Sequence, residues 1–443
     1  MADLDTGNTA WMLTASALVL FMTPGLAFFY GGLTRNKNVA ATIMQSFITI
    51  GVVGVLWTLV GYTLAFGGDW HGLIGNFDHV GLTGLGGEGE GIPELSFVSF
   101  QMMFAIITPA LITGAFAERA RFGPFLLFTA LWSLVVYVPI AHWVWGAGGW
   151  LNAFDASGAV ADTGTLNGLD FAGGMAIHLN AGIAALAAVL VFGRRKGYGT
   201  EPMEPHDVTM VVLGAAILWF GWFGFNAGSA LAADEIAAFA FVNTNVAAAA
   251  AALTWTLLSW QVTGKPSVVG AAAGSVAGLV AITPAAGFVE PWAAIIIGVG
   301  AAGFCFAAVQ FRQKIHFDDS LDVVTVHGVG GLWGSLATAL FATAAVGAPG
   351  FREGLFTAGE WLLLRDQVAG ILIVSVYSFV LTFGLLKGLD ILLGIRVSEE
   401  DEELGLDSTQ HGERAYTFDE GSPLIGTILE APPEVYSASE PRD

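Results

Sequence analysis

Eleven apolar runs, each near the roughly 20 residues that a helix needs to cross a bilayer, divide this chain between residues 9 and 394. They lie near 9–32, 41–67, 95–117, 123–143, 171–193, 208–231, 236–262, 267–285, 291–311, 322–346 and 366–394. With 55% hydrophobic residues, 12% charged and a mean hydropathy of +0.68, the chain is too apolar for a water-soluble partition into core and surface. The runs predict an all-α polytopic membrane protein, with one membrane domain over residues 1–395 and a polar tail over 396–443.

Basic residues give a separate check on the count, because Lys and Arg favour the cytoplasmic side of short loops. With the N-terminus outside, the inner loops hold Arg35 and Lys37, then Arg119 and Arg121, then Arg194, Arg195 and Lys196, then Lys265, then Arg312 and Lys314. The outer loops hold Arg352 and Arg365. One missed span in the middle would scramble this bias, so eleven spans running from outside to inside is the expectation. The N-terminal MADLDTGNTA lacks the basic region of a secretory signal, which predicts a retained first helix. The tail opens with SEEDEE, too charged to enter hydrocarbon, and is expected in the cytoplasm, partly ordered.

The formal net charge of −21 argues against nucleic-acid binding and would suit a high-salt cytoplasm. A single cysteine, Cys305, excludes an intrachain disulfide and a Cys-based metal site. No GxxxxGK[ST] loop is present, so bound ATP does not drive the chemistry. HExxH and GxSxG are likewise absent, which disfavours an intramembrane hydrolase. No cofactor is expected.

An internal echo suggests two halves. Asp170 precedes His178 by eight residues at the start of the fifth run, and Asp319 precedes His327 by the same interval at the start of the tenth. Because five is odd, runs one to five and six to ten would be oppositely oriented, as in an inverted five-helix repeat with its site at the interface. Ionisable residues inside membrane helices are costly, and they face an interior path or one another. Two imidazoles that each donate from one nitrogen and accept on the other suit a small hydrogen-bonding substrate. With no carboxylate or thiolate in the neighbouring turns, a metal site is not expected. Asp170 has two readings: a cap for free backbone N–H groups, or a charge that attracts a cation before it is dehydrated. Asp319, Asp322 and Lys314 are expected to hold the inner mouth together through charge pairs.

The segments TPGLAFFYGGLTRNKN, FQMMFAIITPALITGAFAER, AHWVWGAGGWL, LDFAGGMAIHLNAG, FGWFGFNAGSAL, DDSLDVVTVHGVGGLWG and GLDSTQHGERAY run in order from the first span to the tail. Together they resemble the signature stretches of the Amt/Mep/Rh ammonium transporters, on the Amt side. The resemblance implies a homotrimer in the cell membrane, with one pore per subunit for ammonium or ammonia. His178 and His327 match its twin pore histidines. Phe100, Trp145 and Ser229 match an outer site where aromatic faces hold a cation, Asp170 matches the motif aspartate near that vestibule, and Phe104 and Phe225 match the rings that close the pore. The bland alternatives are core packing for the i, i+4 pair Phe100 and Phe104 and an interfacial anchor for Trp145.

Moving a charged ammonium through a narrow apolar pore would cost many kcal/mol, so the resemblance implies deprotonation near the Phe gate and passage as ammonia. An Rh-like gas channel would share the fold and the histidines; Trp145 and Ser229 favour Amt. A sensor would need an appended signalling domain, and the tail is short. GLDSTQHGERAY further resembles a regulatory segment that contacts a neighbouring subunit and a PII-type signalling protein, while its charge alone is what a solvated tail would show.

Overall fold

The computed structural model describes residues 4–86, 91–153, 166–346 and 351–416. The apolar runs become α1 (Thr6–Leu33), α2 (Asn36–Phe66), α3 (Glu94–Thr113), α4 (Phe122–Trp145), α5 (Gly174–Phe192), α6 (Val208–Ala230), α7 (Glu235–Thr263), α8 (Val268–Ile282), α9 (Pro291–Lys314), α10 (Val324–Phe341) and α11 (Leu362–Leu393). Among the described residues ten of these are long and apolar enough to cross a membrane, and α8, at 15 residues, is shorter. The run expected over 267–285 stops as a helix at Ile282, two residues before Pro284, which has no N–H to carry the helical hydrogen bonds on. A two-residue hairpin, β1 (Asp69–Trp70) with β2 (Ile74–Gly75), lies between α2 and α3.

Short polar side chains start several helices. Asp5, Asp207, Asp234 and Ser267 each accept from the backbone N–H three residues on, which covers a donor that the helix leaves unpaired. The bundle then turns large apolar side chains outward: Phe220, Leu253 and Val376 are all more than half exposed. Water would penalise such a surface, and lipid does not. Between helices, where lipid removes the hydrophobic drive, small residues permit close packing. Ala240, Ala247, Ala281, Ala293, Ala294 and Ala301 accordingly join α7, α8 and α9 in one fully buried cluster. Cys305 is buried on α9.

The two ends of the bundle carry different charge. At one end Arg35 pairs with Glu118 at 2.6 Å, Arg195 pairs with Glu118 at 3.5 Å and with Asp318 at 2.7 Å, and Arg119 donates to the Asp318 carbonyl at 2.9 Å. Burial pushes the Asp318 carboxyl up, but the Arg195 and Arg119 guanidiniums more than offset it and hold the group below the usual carboxylate range. Asp322 pairs with Arg312 at 2.8 Å rather than with the expected Lys314, and Asp319 accepts from Val324 N at 2.7 Å. At the other end of α11, Arg352 and Arg365 both bond Asp366.

The tail, expected to be partly ordered, is docked on the basic end as far as Tyr416. Its short helix α12 (Glu399–Leu404) buries Glu402 against Arg396 at 2.8 Å and the Lys196 N–H at 2.6 Å. Lys37 donates to the Glu402 carbonyl at 2.9 Å, Leu406 N donates to Asn38 at 2.8 Å, and Ala41 N donates to Asp407 at 2.8 Å. The run of acids reads as solvated in isolation, yet the basic loops supply its counterions.

Candidate functional site

Both histidines sit where α5 and α10 begin, and both stand in π-wound turns. His178 N donates five residues back to the Gly173 carbonyl at 2.9 Å, and the turn Val324–Gly328 holds His327 in the same winding. π turns arise where a helix accommodates one extra residue, often at functional sites. Gly173, at φ 112°, allows the chain to enter α5. The Asp170 carboxylate then takes four backbone N–H bonds, from Gly173, Gly174, Met175 and Ala176 at 2.5–3.0 Å. It is buried, and the capping geometry accounts for both of its oxygens.

The winding brings His178 Nδ1 to 3.3 Å from His327 Nδ1, with the ring planes 25° apart. For two neutral rings this contact places a proton on one Nδ1 and a lone pair on the other, so their Nε2 atoms take opposite roles, one accepting and one donating. His178 Nε2 is buried with no protein partner. Between the rings and the side chains of Met22, Leu26, Ile107 and Val276 lies a cavity with about 10 Å³ for the centre of a water-sized molecule. That is room for about one.

The aromatic residues continue the column. Phe225 lies 5.9 Å from His178 between ring centres, Phe104 lies 4.4 Å from Phe225, and Phe100 lies 4.7 Å from Phe104. All three phenylalanines are buried. Trp145 stands 6.0 Å from Phe104, half-buried, and its indole N–H donates to the Asp170 carbonyl at 2.9 Å. Ser229 donates to the Phe225 carbonyl at 2.9 Å, which leaves its oxygen free to accept. All eight residues singled out from the sequence therefore belong to one connected set.

Trp222 was not anticipated. It stacks on His178 at 5.3 Å and 25°, three residues before Phe225 on the same helix face, with its indole N–H on Thr283 at 2.9 Å. The aromatic run WFGWFGF contained the signal but did not say which ring faces inward. Among the described residues no group of three or more His, Cys, Asp or Glu side chains could hold a metal ion.

The model of the Ammonium Transporter Family matches residues 10–416. An ammonium transporter of Bacillus subtilis is 47% identical, covering 93% of this chain and 99% of that protein. One from Aquifex aeolicus is 50% identical, covering 94% and 95%. The crystal structure of Candida albicans Mep2 superposes with a TM-score of 0.82 at 38% identity, covering 90% of this chain and 88% of that one.

Proposed function

The chain belongs to the ammonium transporter family and is a multi-pass protein of the cell membrane, and on that premise we propose that it moves ammonium by way of a pore running along the aromatic and histidine column. The carrying observation is that column: Phe100, Phe104, Phe225, His178 and His327 follow one another at ring spacings of 4.4–5.9 Å.

Trp145, Phe100 and Ser229 form the recruitment site. Aromatic faces attract the cation and the serine oxygen accepts one of its N–H groups, so part of its hydration is replaced. Phe104 and Phe225 close the path below. A unit charge in that apolar constriction would cost many kcal/mol, and ammonia avoids most of the penalty. The proton is therefore passed to water at the outer mouth, above the gate, and ammonia alone enters the column. Ammonia then meets the His pair, whose two Nε2 roles suit a molecule that both donates and accepts. The Asp170 field acts at the mouth through the helix start that it caps.

The finer architecture belongs to the same reading. Eleven spans with an inverted repeat fit two π-wound histidine helices, each opened by an aspartate eight residues upstream, crossing at their starts. The basic end faces the cytoplasm, so the N-terminus is outside and the docked tail inside. Three such subunits assemble, and a PII-type protein has access to the tail face. The test is ammonium uptake and the accompanying rise of internal pH in proteoliposomes, with potassium as the competing cation. Equal responses to the two ions would refute a deprotonating pore.

A further inference from the structure

His142 stands one turn before Trp145 on α4, fully buried, and the conduction column makes no use of it. Its Nδ1 lies 2.8 Å from the Ala65 carbonyl oxygen, and its Nε2 lies 3.0 Å from Asp69 Oδ1. Neither partner can donate: one is a carbonyl and the other a carboxylate. A neutral imidazole has one proton for the two of them, and it would set a buried lone pair against an acceptor. The doubly protonated ring satisfies both, and Asp69 balances its charge.

Asp69 also organises the hairpin, where its Oδ1 accepts from Gly72 N at 2.7 Å. Gly148, just beyond Trp145, packs so tightly on Asp69 that a Cβ there would meet its Cβ and Cγ at 2.7 Å. The Trp143 indole donates to the Leu73 carbonyl at 2.8 Å. Hairpin and helix end thus form one rim, pinned through His142. The other ionisable groups on adjoining elements have contacts of their own: Tyr62 with Glu94 at 3.0 Å, Asp78 with Asn76, His71 exposed in the hairpin turn beside the Trp70 ring at 6.1 Å, and His79 with its Nδ1 3.3 Å from the Thr83 carbonyl oxygen. Tyr137, on α4 itself, is buried. The Asp69 side chain is 34% exposed, so protons reach the pair from the mouth.

We infer that His142 is a positioning residue for the recruitment site: as an imidazolium paired with Asp69 it fastens the hairpin to the end of α4 that carries Trp145, and loss of one ring proton releases that fastening. The inference rests on Trp145 lining the mouth of the pore, as proposed above.

Two measurements test it separately from the pore. The first is nitrogen NMR of histidine-labelled protein in nanodiscs, with the His142 signal assigned by its loss in His142→Gln. Both nitrogens should be protonated in the wild type near neutrality, and Asp69→Asn should shift the ring to a neutral tautomer, because the amide donates to Nε2. A neutral ring in the wild type at about pH 6 overturns the inference whether or not the protein transports. The second is methylammonium uptake in proteoliposomes from about pH 6 to pH 8, a range in which the amine stays mostly protonated. Asp69→Asn should flatten the wild-type dependence of half-saturation on pH while the maximal rate stays within about two-fold, and His142→Gln, left with a single donor group, should raise half-saturation by about three- to ten-fold. Wild-type half-saturation and pH dependence in both folded variants would also overturn it. Failure of the wild type to take up amine would count against the pore and leave the ring's proton count to decide.

Discussion

Gly182 on α5 lies so close to Gly328 on α10 that a Cβ built on Gly182 would stand 2.2 Å from the Gly328 Cα and N, whereas a Cβ built on Gly328 would meet nothing nearer than 3.5 Å. The crossing beside His327 is therefore asymmetric. Gly182→Ala should force the helices apart and lower the thermal midpoint by several degrees, as overpacking costs about 1–3 kcal/mol, and it should disturb the histidine contact. Gly328→Ala should fold like the wild type. Melting both variants in detergent checks this; equal midpoints would mean that the contact is softer than its distances imply.

The histidine pair gives a prediction in which the sign of the effect matters. His178→Asp or His327→Glu, if folded, places a carboxylate in the buried part of the column and lowers the barrier to cations. Potassium currents on solid-supported membranes should appear where the wild type passes almost none, with ammonium selectivity reduced by about ten-fold or more. If the residues only pack, loss of transport in His327→Ala should track loss of folded protein. Folded carboxylate variants with wild-type selectivity would remove the pair from the mechanism.

Much of this was legible because hydropathy is a local signal. The apolar runs, the one-sided basic loops and the twin Asp–His spacing can each be read within a few residues. What could not be read depends on who meets whom. The π winding at His178 and His327 shows only in the backbone bonding, as where His178 N reaches Gly173 O. Of the residues expected to hold the inner mouth, Asp319, Asp322 and Lys314, Asp322 does form a charge pair, with Arg312, while Asp318, which was not singled out, is the carboxylate that bonds Arg195. Glu402 looked like one acid in a solvated run until Arg396 and Lys196 enclosed it. His142 read as part of a motif, with nothing nearby to announce Asp69.

Glu402 should act as the clasp of the tail. Glu402→Gln keeps an acceptor for Lys196 N but turns a donor towards Arg396, leaving the half-buried guanidinium without its charge partner. Hydrogen exchange over residues 398–416 should speed up by about ten-fold or more while the bundle is unchanged. Unaltered protection would show that Lys37, Asn38 and Asp407 hold the tail without it.

Acid and base should act oppositely at neighbouring aspartates. Burial, and then the adjacent Asp322 charge, push the Asp319 carboxyl from 3.8 up to about 7. The folded state therefore holds a proton that the unfolded chain releases. The stability is fully present below about pH 3.8, falls as pH rises towards about 7, and is level above. Asp318 is held low, so its contribution is present at neutral pH and lost on acidification. Asp319→Asn should keep the bond from Val324 N while removing that fall, so its thermal midpoint should gain on the wild type between about pH 5 and pH 8. Parallel pH profiles for the two proteins would contradict the buried proton.

The π turns have a consequence for how this chain tolerates change. A turn bonded from His178 back to Gly173 contains one residue more than an α-helical turn, so the Asp170-capped entry to α5 and the helix beyond the histidine are offset by one residue, about 100° of rotation. Deleting a single residue from that turn would rewind it as an ordinary helix and swing every side chain on one side of the cut by that angle, with composition and hydropathy almost untouched. The histidine column is thus kept in place by the length of the backbone as well as by imidazole. A one-residue deletion, which no substitution scan samples, would turn the ring away from its partner.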